Sequence, residues 1–310
     1  MAAGTPGGGK TVPDRTGVSV KLVPPVGSPM ARRSVLFSPG DRPELMRKAP
    51  GAGADTVVFD LEDAVVPEKK PDARAAVVDV LTDPSFDPDP EVCVRVNADP
   101  GTAAADLDAV LEGTPRIDSV MVPKAESAAG VREMDELIAE RGADLPLLAL
   151  CESARGVLEA AAIGAVPAVD ALVFGAEDLS ADIGATRTES GEEVSHARQQ
   201  VVLAAGAADV DAIDTVFTDI EATDRLAAET AFAAQLGYDG KMAIHPAQVA
   251  PINEAFTPDP EAVEWAEKVL AAREAVDGRG VFRVDDEMID APLLARAERV
   301  MERHRAAEDG

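Results

Sequence analysis

The sequence predicts an α/β protein, a (β/α)8 TIM barrel with a C-terminal helical extension. Two observations carry that prediction. Short Val-rich apolar runs alternate about eight times with Ala-rich stretches of helical spacing. Nearly every run is also followed at once by polar residues of catalytic type, and a barrel gathers its function at the C-terminal ends of its strands. The alternative, an open doubly wound sheet, would concentrate such residues near one crevice. Their recurrence from run to run converges on one place only if the sheet closes.

The runs follow one another in order. SVLF at 34–37 leads into Ser38–Arg42, and TVVFD at 56–60 into Leu61–Asp63 with a helical stretch over 67–81. VCVRV at 92–96 ends on Asn97 and precedes a helix over 103–111. SVMV at 119–122 runs into Pro123–Glu126 and a helix over 128–141, and PLLAL at 146–150 into Glu152–Arg155 and a helix over 155–163. ALVF at 171–174 is followed by Gly175–Asp178, with the next helix over 192–208. IDTVF at 213–217 precedes Thr218, Asp219 and a helix over 221–236, and KMAI at 241–244 ends on His245 and Pro246. Short continuous runs of this kind suit parallel strands buried on both faces.

Beyond His245 the pattern changes. A long helix is expected over 258–276, then a break at Gly278-Arg-Gly280, a short extended piece at 281–286, and a last helix from Asp290 to about His304 with Pro292 in its first turn. The expected division is a loose leader over 1–31, a catalytic barrel over 32–255 and a C-terminal extension or lid over 256–310. The leader is rich in Gly and Pro and lacks the apolar core of a signal peptide; Met30, just ahead of ARRSVLF, is an alternative start. Gly7-Gly-Gly-Lys10 lacks the spacing and the preceding strand of a phosphate loop.

Composition narrows the function. The chain has 310 residues, 46% hydrophobic but only 3% aromatic, so the core is built from Ala, Val, Leu and Ile. A formal charge of −28 repels phosphate backbones and anionic lipid, which argues against nucleic-acid or membrane partners. It leaves room for a phosphorylated small molecule held by a few local Arg and Lys residues. Acidic residues spread along the whole chain, with only eight lysines, are the pattern of a protein kept soluble in concentrated salt, so a halophilic, cytoplasmic protein is expected, the rival being an ordinary acidic protein. Cys93 and Cys151 sit within or at the end of apolar runs and read as buried thiols rather than a bridge. Three histidines give little support to a zinc site.

Several residues stand out as carriers of chemistry. Glu152 and Asp178 end adjacent strands about 4.8 Å apart, so both carboxylates can reach one point above the barrel mouth. Two carboxylates completed by water and substrate oxygens suit Mg2+, or Mn2+, rather than zinc. The plain structural reading is that one caps a helix and the other pairs with Arg155. Arg95 needs an anionic partner in so apolar a barrel: a substrate carboxylate or growing oxyanion, or else a buried pair with Glu62 or Glu126. Asp60, Glu62 and Asp63 can orient metal-bound water or hold Arg95. Lys124 reads as a Schiff-base lysine or, more simply, as an ion-paired one. His245 reads as a general base or as a hydrogen-bonded turn residue.

The ordered motifs resemble the citrate lyase β-subunit-like branch of the HpcH/HpaI aldolase family, with its malyl-CoA, β-methylmalyl-CoA and citramalyl-CoA lyases. They are RRSVLFSPGDRP at 32–43, FDLEDAV at 59–65, VRVN at 94–97, VPKAES at 122–127, CESARG at 151–156, FGAEDL at 174–179, GKMAIHP at 240–246 and MIDAP at 288–292. Ala125 stands where the family often has Val. The resemblance implies a (β/α)8 barrel that uses Mg2+ to break or form a C–C bond next to an acyl-CoA thioester. It makes Glu152 and Asp178 metal ligands and places Arg95 on the 2-oxo acid and enolate oxygen. Asp290 becomes the catalytic acid/base, supplied from a neighbouring subunit, so a homo-oligomer follows, a trimer or a hexamer. Arg32, Arg33, Arg42 and Lys241 are candidates for the coenzyme A phosphates, with Lys124 and His245 as further substrate contacts.

The implied reaction is cleavage of malyl-CoA or β-methylmalyl-CoA to glyoxylate and acetyl-CoA or propionyl-CoA. Citramalyl-CoA, giving pyruvate, and a carrier-protein thioester are the alternatives; a non-enzymatic scaffold would be expected to lack part of the constellation. The salt reading has its own test. Self-repulsion should lower the thermal midpoint in dilute buffer and molar KCl should raise it; a midpoint insensitive to salt counts against it.

Overall fold

The computed structural model describes residues 32–113, 116–275 and 281–309; the leader with Met30 and the glycine break at 278–280 lie outside the described residues. Eight parallel strands close into a barrel in chain order. They are β1 Ser34–Pro39, β2 Thr56–Asp60, β3 Glu91–Arg95, β4 Ser119–Val122, β5 Leu147–Cys151, β6 Val169–Phe174, β7 Asp211–Asp214 and β8 Gly240–Ala243. β8 pairs back onto β1 through Ser34↔Lys241, Val35↔Met242 and Leu36↔Ala243. The ring therefore has no free edge, and the open-sheet alternative is excluded.

Helices follow the strands. They are α1 Pro43–Met46, α2 Lys70–Leu81, α3 Pro100–Val110, α4 Ala128–Ala139, α5 Ala154–Gly164, α6 Ala176–Asp182, α7 Ser195–Ala208, α8 Thr223–Leu236 and α9 Val249–Phe256. Asp99, Ser127 and Ser153 start α3, α4 and α5 by accepting the backbone N–H of Thr102, Gly130 and Gly156. Beyond the barrel lie α10 Pro260–Ala275, a hairpin of β9 Phe282–Val284 and β10 Glu287–Ile289, and α11 Ala291–Asp309. None of the described helices is long and apolar enough to cross a membrane.

Two expectations shift. The seventh strand begins at Asp211 and ends at Asp214 rather than spanning 213–217. Both aspartates are ladder residues whose charge is met by buried cations, so an apolar run does not mark this strand. The short helix α6 was not expected before residue 192. Its seven residues, AEDLSAD, carry no apolar stripe and are anchored by buried Ala176, Leu179 and Ser180.

Strand alternation divides the apolar side chains into two sets. Val35, Val58, Cys93, Met121, Leu148, Leu150, Ala171, Val173, Ile213 and Met242 fill the inside of the ring. Their neighbours, such as Leu36, Val57, Phe59, Ala149 and Phe174, join the larger core under the helices. The inner plug is a packed floor, so a ligand can enter only above it, at the C-terminal ends.

The N-terminal side of the barrel is tied by ion pairs. The Arg32 guanidinium lies within 2.7 Å of Glu91 and Asp170 and 2.9 Å of Asp211. Arg33 pairs with Asp55 at 2.8 Å. Lys241, wholly buried at the start of β8, donates to Asp214 at 2.6 Å and to Glu229 at 3.2 Å, and Arg198 grips the same aspartate with two hydrogen bonds. This corrects the expectation that Arg32, Arg33 and Lys241 face coenzyme A. Arg32 and Arg33 precede β1 and stand at the end opposite the mouth, and Lys241 points outward against α7 and α8. Their charges are already matched.

The C-terminal segment has an apolar cluster of its own, Ala266, Val269, Phe282, Ile289 and Ala297, with Trp265 stacked under Arg296. Arg303 of α11 donates to Asp239 and to the Tyr238 carbonyl, just ahead of β8.

Two glycines give opposite expectations. A Cβ on Gly240, at the barrel seam, would stand 1.8 Å from the Arg32 carbonyl oxygen. Gly240→Ala should cost more than about 3 kcal/mol in denaturant unfolding. Gly206, in α7, has open space around it, so Gly206→Ala should stabilise by about 0.5–1 kcal/mol. Equal effects would contradict the packing described.

Candidate active site

A cavity of about 380 Å3 opens at the C-terminal ends of the strands. Its walls follow from the inward series of each strand. Val58 of the floor is succeeded by Asp60, Cys93 by Arg95, and Leu150 by Glu152, so a period of two that is apolar below becomes charged above. Asp63, Glu177 and Asp178 also line the cavity, against apolar walls that include Phe37, Val216 and Met242.

Glu152 is the most constrained acid. Its carboxylate is buried, and Oε1 accepts the Lys124 backbone N–H at 2.9 Å. Lys124 is in the left-handed region at φ 49°, a conformation costing a non-glycine residue about 1–3 kcal/mol. Gly175 gives the carboxylate its space: a Cβ there would come within 2.5 Å of the Glu152 Cβ and 3.0 Å of Oε2. Burial, followed by the charges of Asp178 and Glu62, pushes the Glu152 pKa up to about 8 against the partial relief of the Lys124 N–H and Arg95. Asp178 lies in the first turn of α6 and is exposed to the cavity.

Arg95 is held as a plate. Its Nε and Nη2 donate to the two oxygens of Asp60 at 2.7 and 2.6 Å, and its guanidinium lies 5.0 Å from the centre of the Phe37 ring. Asp60 also accepts the backbone N–H groups of Glu62 and Ala64. Arg95 Nη1 lies 3.3 Å from Glu62 Oε2 but out of line for a hydrogen bond, leaving that buried oxygen without one. Glu62 Oε1 accepts from Lys124 Nζ at 2.5 Å. Burial raises the Glu62 pKa, opposed by Lys124 and Arg95. Lys70 donates to the carbonyls of Leu61 and Glu62 and fixes that turn.

The cavity thus brings Arg95, Asp63, Glu152 and Asp178 together, with Glu62 and Lys124 joined to them. The principal partner of Arg95 is Asp60, not Glu126, which is exposed; Lys124 likewise pairs with Glu62. The sequence groups Asp60 with Glu62 and Asp63 as residues that orient metal-bound water or hold Arg95, and for Asp60 the structure shows the second. The signal was its position two residues after inward Val58. Arg42 is exposed on the mouth side near Asp41, at 3.6 Å. His245 is exposed and caps the turn at 246–248, its Nδ1 accepting the Ala247 N–H at 3.2 Å, which is the turn reading. Asp290 is exposed outside this chain's cavity, and its Oδ1 accepts the Leu293 N–H at the start of α11.

Among the described residues, no three His, Cys, Asp or Glu side chains come together as a ready-made metal cage. The donors are two hard carboxylates in a region of uncompensated negative charge. That set fits Mg2+, which keeps several waters and takes few protein ligands. It fits zinc poorly.

The surplus charge has a measurable consequence. Without metal, folded Glu152 keeps its proton to about pH 8, whereas the unfolded chain releases it near 4.5. Folded protein then binds more protons between those values, so this group's contribution to stability falls as pH rises through the window. Unfolding of metal-free protein should show a steeper loss from pH 5 to 8 than Glu152→Gln does. Identical slopes would refute the assignment of that proton to Glu152.

Residues 33–246 match the HpcH/HpaI aldolase/citrate lyase family. The chain is 41% identical to the citrate lyase subunit beta-like protein of Deinococcus radiodurans, over 87% of this chain and 96% of that one. It is 37% identical to the mitochondrial citramalyl-CoA lyase of Mus musculus, over 87% and 85%. The crystal structure of CitE from Mycobacterium tuberculosis in complex with magnesium, acetoacetate and coenzyme A superposes with a TM-score of 0.73 at 38% identity, covering 89% of this chain and 98% of that one. With a closed barrel and a charged cavity at its C-terminal end, the chain belongs to the HpcH/HpaI aldolase/citrate lyase family, a family of carbon–carbon lyases.

Proposed function

We propose that the chain is a Mg2+-dependent lyase that reversibly cleaves the C–C bond of malyl-CoA or β-methylmalyl-CoA, giving glyoxylate with acetyl-CoA or propionyl-CoA. The observation that carries the reading is Glu152 and Asp178 in one cavity with Arg95. A second reading, cleavage of citramalyl-CoA to pyruvate and acetyl-CoA, is favoured by the 37% identity to the mouse enzyme of that name. The two oxo acids differ by one methyl group, worth roughly 1–3 kcal/mol in a pocket.

Glu152 and Asp178 would hold the metal. When bound, Mg2+ would supply Lewis acidity at the substrate hydroxyl and the growing carbonyl oxygen. The chain's own residues do the rest. Arg95, kept flat by Asp60 and Phe37, presents a fixed positive charge to the cavity and offsets the negative charge of the thioester enolate as the C–C electron pair moves onto the α-carbon. Its pairing with Asp60 means it needs no reorganisation when that charge appears. Glu62 and Lys124 hold the turn beside it, and Asp63 faces the same space. Apolar walls weaken screening and strengthen each of these interactions. Arg42 and Lys124 are among the exposed cations on the mouth side and suit the anionic coenzyme A moiety, with His245 nearby on the rim.

From a neighbouring copy, Asp290 would accept the proton that the substrate hydroxyl releases as the C–C bond breaks and deliver it to the α-carbon of the enolate. It caps α11 on a segment with its own apolar cluster and is absent from its own chain's cavity. We therefore propose a homo-oligomer, a trimer or a hexamer, in which residues 256–310 reach another barrel's mouth.

Product analysis with the three CoA esters tests the substrate. Chelation should abolish cleavage and Mg2+ or Mn2+ restore it, and Glu152→Gln and Asp178→Asn should each lose most activity while remaining folded. Asp290→Ala should lower turnover about 10²–10⁴-fold. Mixing exchanged Asp290→Ala and Glu152→Gln subunits should recover activity. Full activity of the metal-free enzyme would defeat the metal assignment, and absence of recovery would defeat the shared site.

A further inference from the structure

We propose that Thr215 is a substrate-contact residue, its hydroxyl donating a hydrogen bond to an oxygen of the 2-oxo acid. This deepens the reading above and rests on it. Thr215 follows β7 directly and lines the cavity, yet it is only 3% exposed. Its Oγ1 accepts the backbone N–H of Ala176 at 3.0 Å. That bond fixes the orientation of the hydroxyl oxygen but uses only a lone pair. A threonine hydroxyl also carries one proton to donate, and no acceptor takes it among the described residues. A buried donor left unsatisfied is costly, and the open side of Thr215 is the cavity.

Topology says what that donor meets. β7 and β3 are four strands apart in an eight-strand ring, so Thr215 and Arg95 face each other across the mouth. Glu152 directly after β5 and Asp178 after β6 lie on the arc between them. A small acid held on that arc has Arg95 on one side and Thr215 on the other. Glu152 and Asp178 are acceptors only when ionised, so they cannot satisfy a ligand's own lone pairs. The lone pairs of an oxygen-rich ligand must therefore be met by the donors Arg95 and Thr215 and by the Mg2+ that the two carboxylates would hold. A 2-oxo acid has three acceptor oxygens clustered on two carbons, and we assign a carboxylate oxygen of it to Thr215. Valine has the same shape as threonine but no proton to give, and serine keeps the proton without the methyl group.

The test is titration of pyruvate and glyoxylate, separately, into the full-length Mg2+-loaded protein, alongside Mg2+ binding measured without either acid. Thr215→Val should weaken oxo-acid binding by about 10–100-fold, the range for a hydrogen bond to a charged acceptor. Thr215→Ala serves as a second hydroxyl-free variant should the valine form fail to fold, and Thr215→Ser should bind within a few-fold of the unaltered protein. Mg2+ affinity should stay within a few-fold throughout. Undiminished oxo-acid binding by the folded hydroxyl-free variants overturns the proposal. So does a loss of Mg2+ affinity that accounts for the whole effect, which would confine Thr215 to holding α6 in place. Failure of the unaltered protein to bind either acid overturns the reading of the cavity itself, and Thr215 falls with it.

Discussion

A closed ring of eight strands leaves one narrow interior, and every second residue of every strand must share it. That constraint organises the molecule. Val35, Val58, Cys93, Met121, Leu148 and Ile213 fill the lower interior to the density of a core. The next inward positions cannot continue the plug without closing the mouth, and there the series changes to Asp60, Arg95 and Glu152. The floor and the cavity are consecutive turns of one alternating pattern.

Charge is handled differently at the two ends. On the N-terminal side, buried charges are surrounded by their opposites: Arg32 by Glu91, Asp170 and Asp211, and Asp214 by Lys241 and Arg198. Removing one partner of such a pair typically costs about 3–5 kcal/mol. At the mouth the balance is left open. Arg95 is matched by Asp60, and Lys124 by Glu62, but Glu152 and Asp178 have no cation of their own, and Glu152 is pushed towards its neutral form. Uncompensated charge of this kind is unfavourable for the empty fold and points to a site whose electrostatics are completed by a ligand. Strain is found at the same place, in the left-handed Lys124 whose N–H faces Glu152.

The segment beyond the barrel obeys neither pattern. Its apolar residues turn towards one another, around Phe282 and Ile289, and Arg303 ties its last helix near the start of β8. A small core that packs on itself leaves the loop before α11, with Asp290, exposed at the surface rather than in this chain's cavity.

The sequence by itself determined the barrel, because local periodicity is enough to mark short buried strands and the helices between them, and strand order follows from chain order in a closed parallel ring. It determined which polar residues end each strand, and the ordered motifs determined the family. It did not determine which charge meets which. Asp60 as the partner of Arg95, Thr215 on Ala176, and Arg32, Arg33 and Lys241 turned away from the mouth all depend on strand register and on the direction in which each side chain leaves its strand. The bounds of β7 differ from the apolar run at 213–217 because its aspartates are satisfied by residues elsewhere in the chain, Arg32, Arg198 and Lys241. Such pairings exist only once the ring has closed, since Arg32 meets Glu91 and Asp211 across 59 and 179 positions of sequence. Local pattern encodes which face of an element is buried; only tertiary closure decides what lies on the other side.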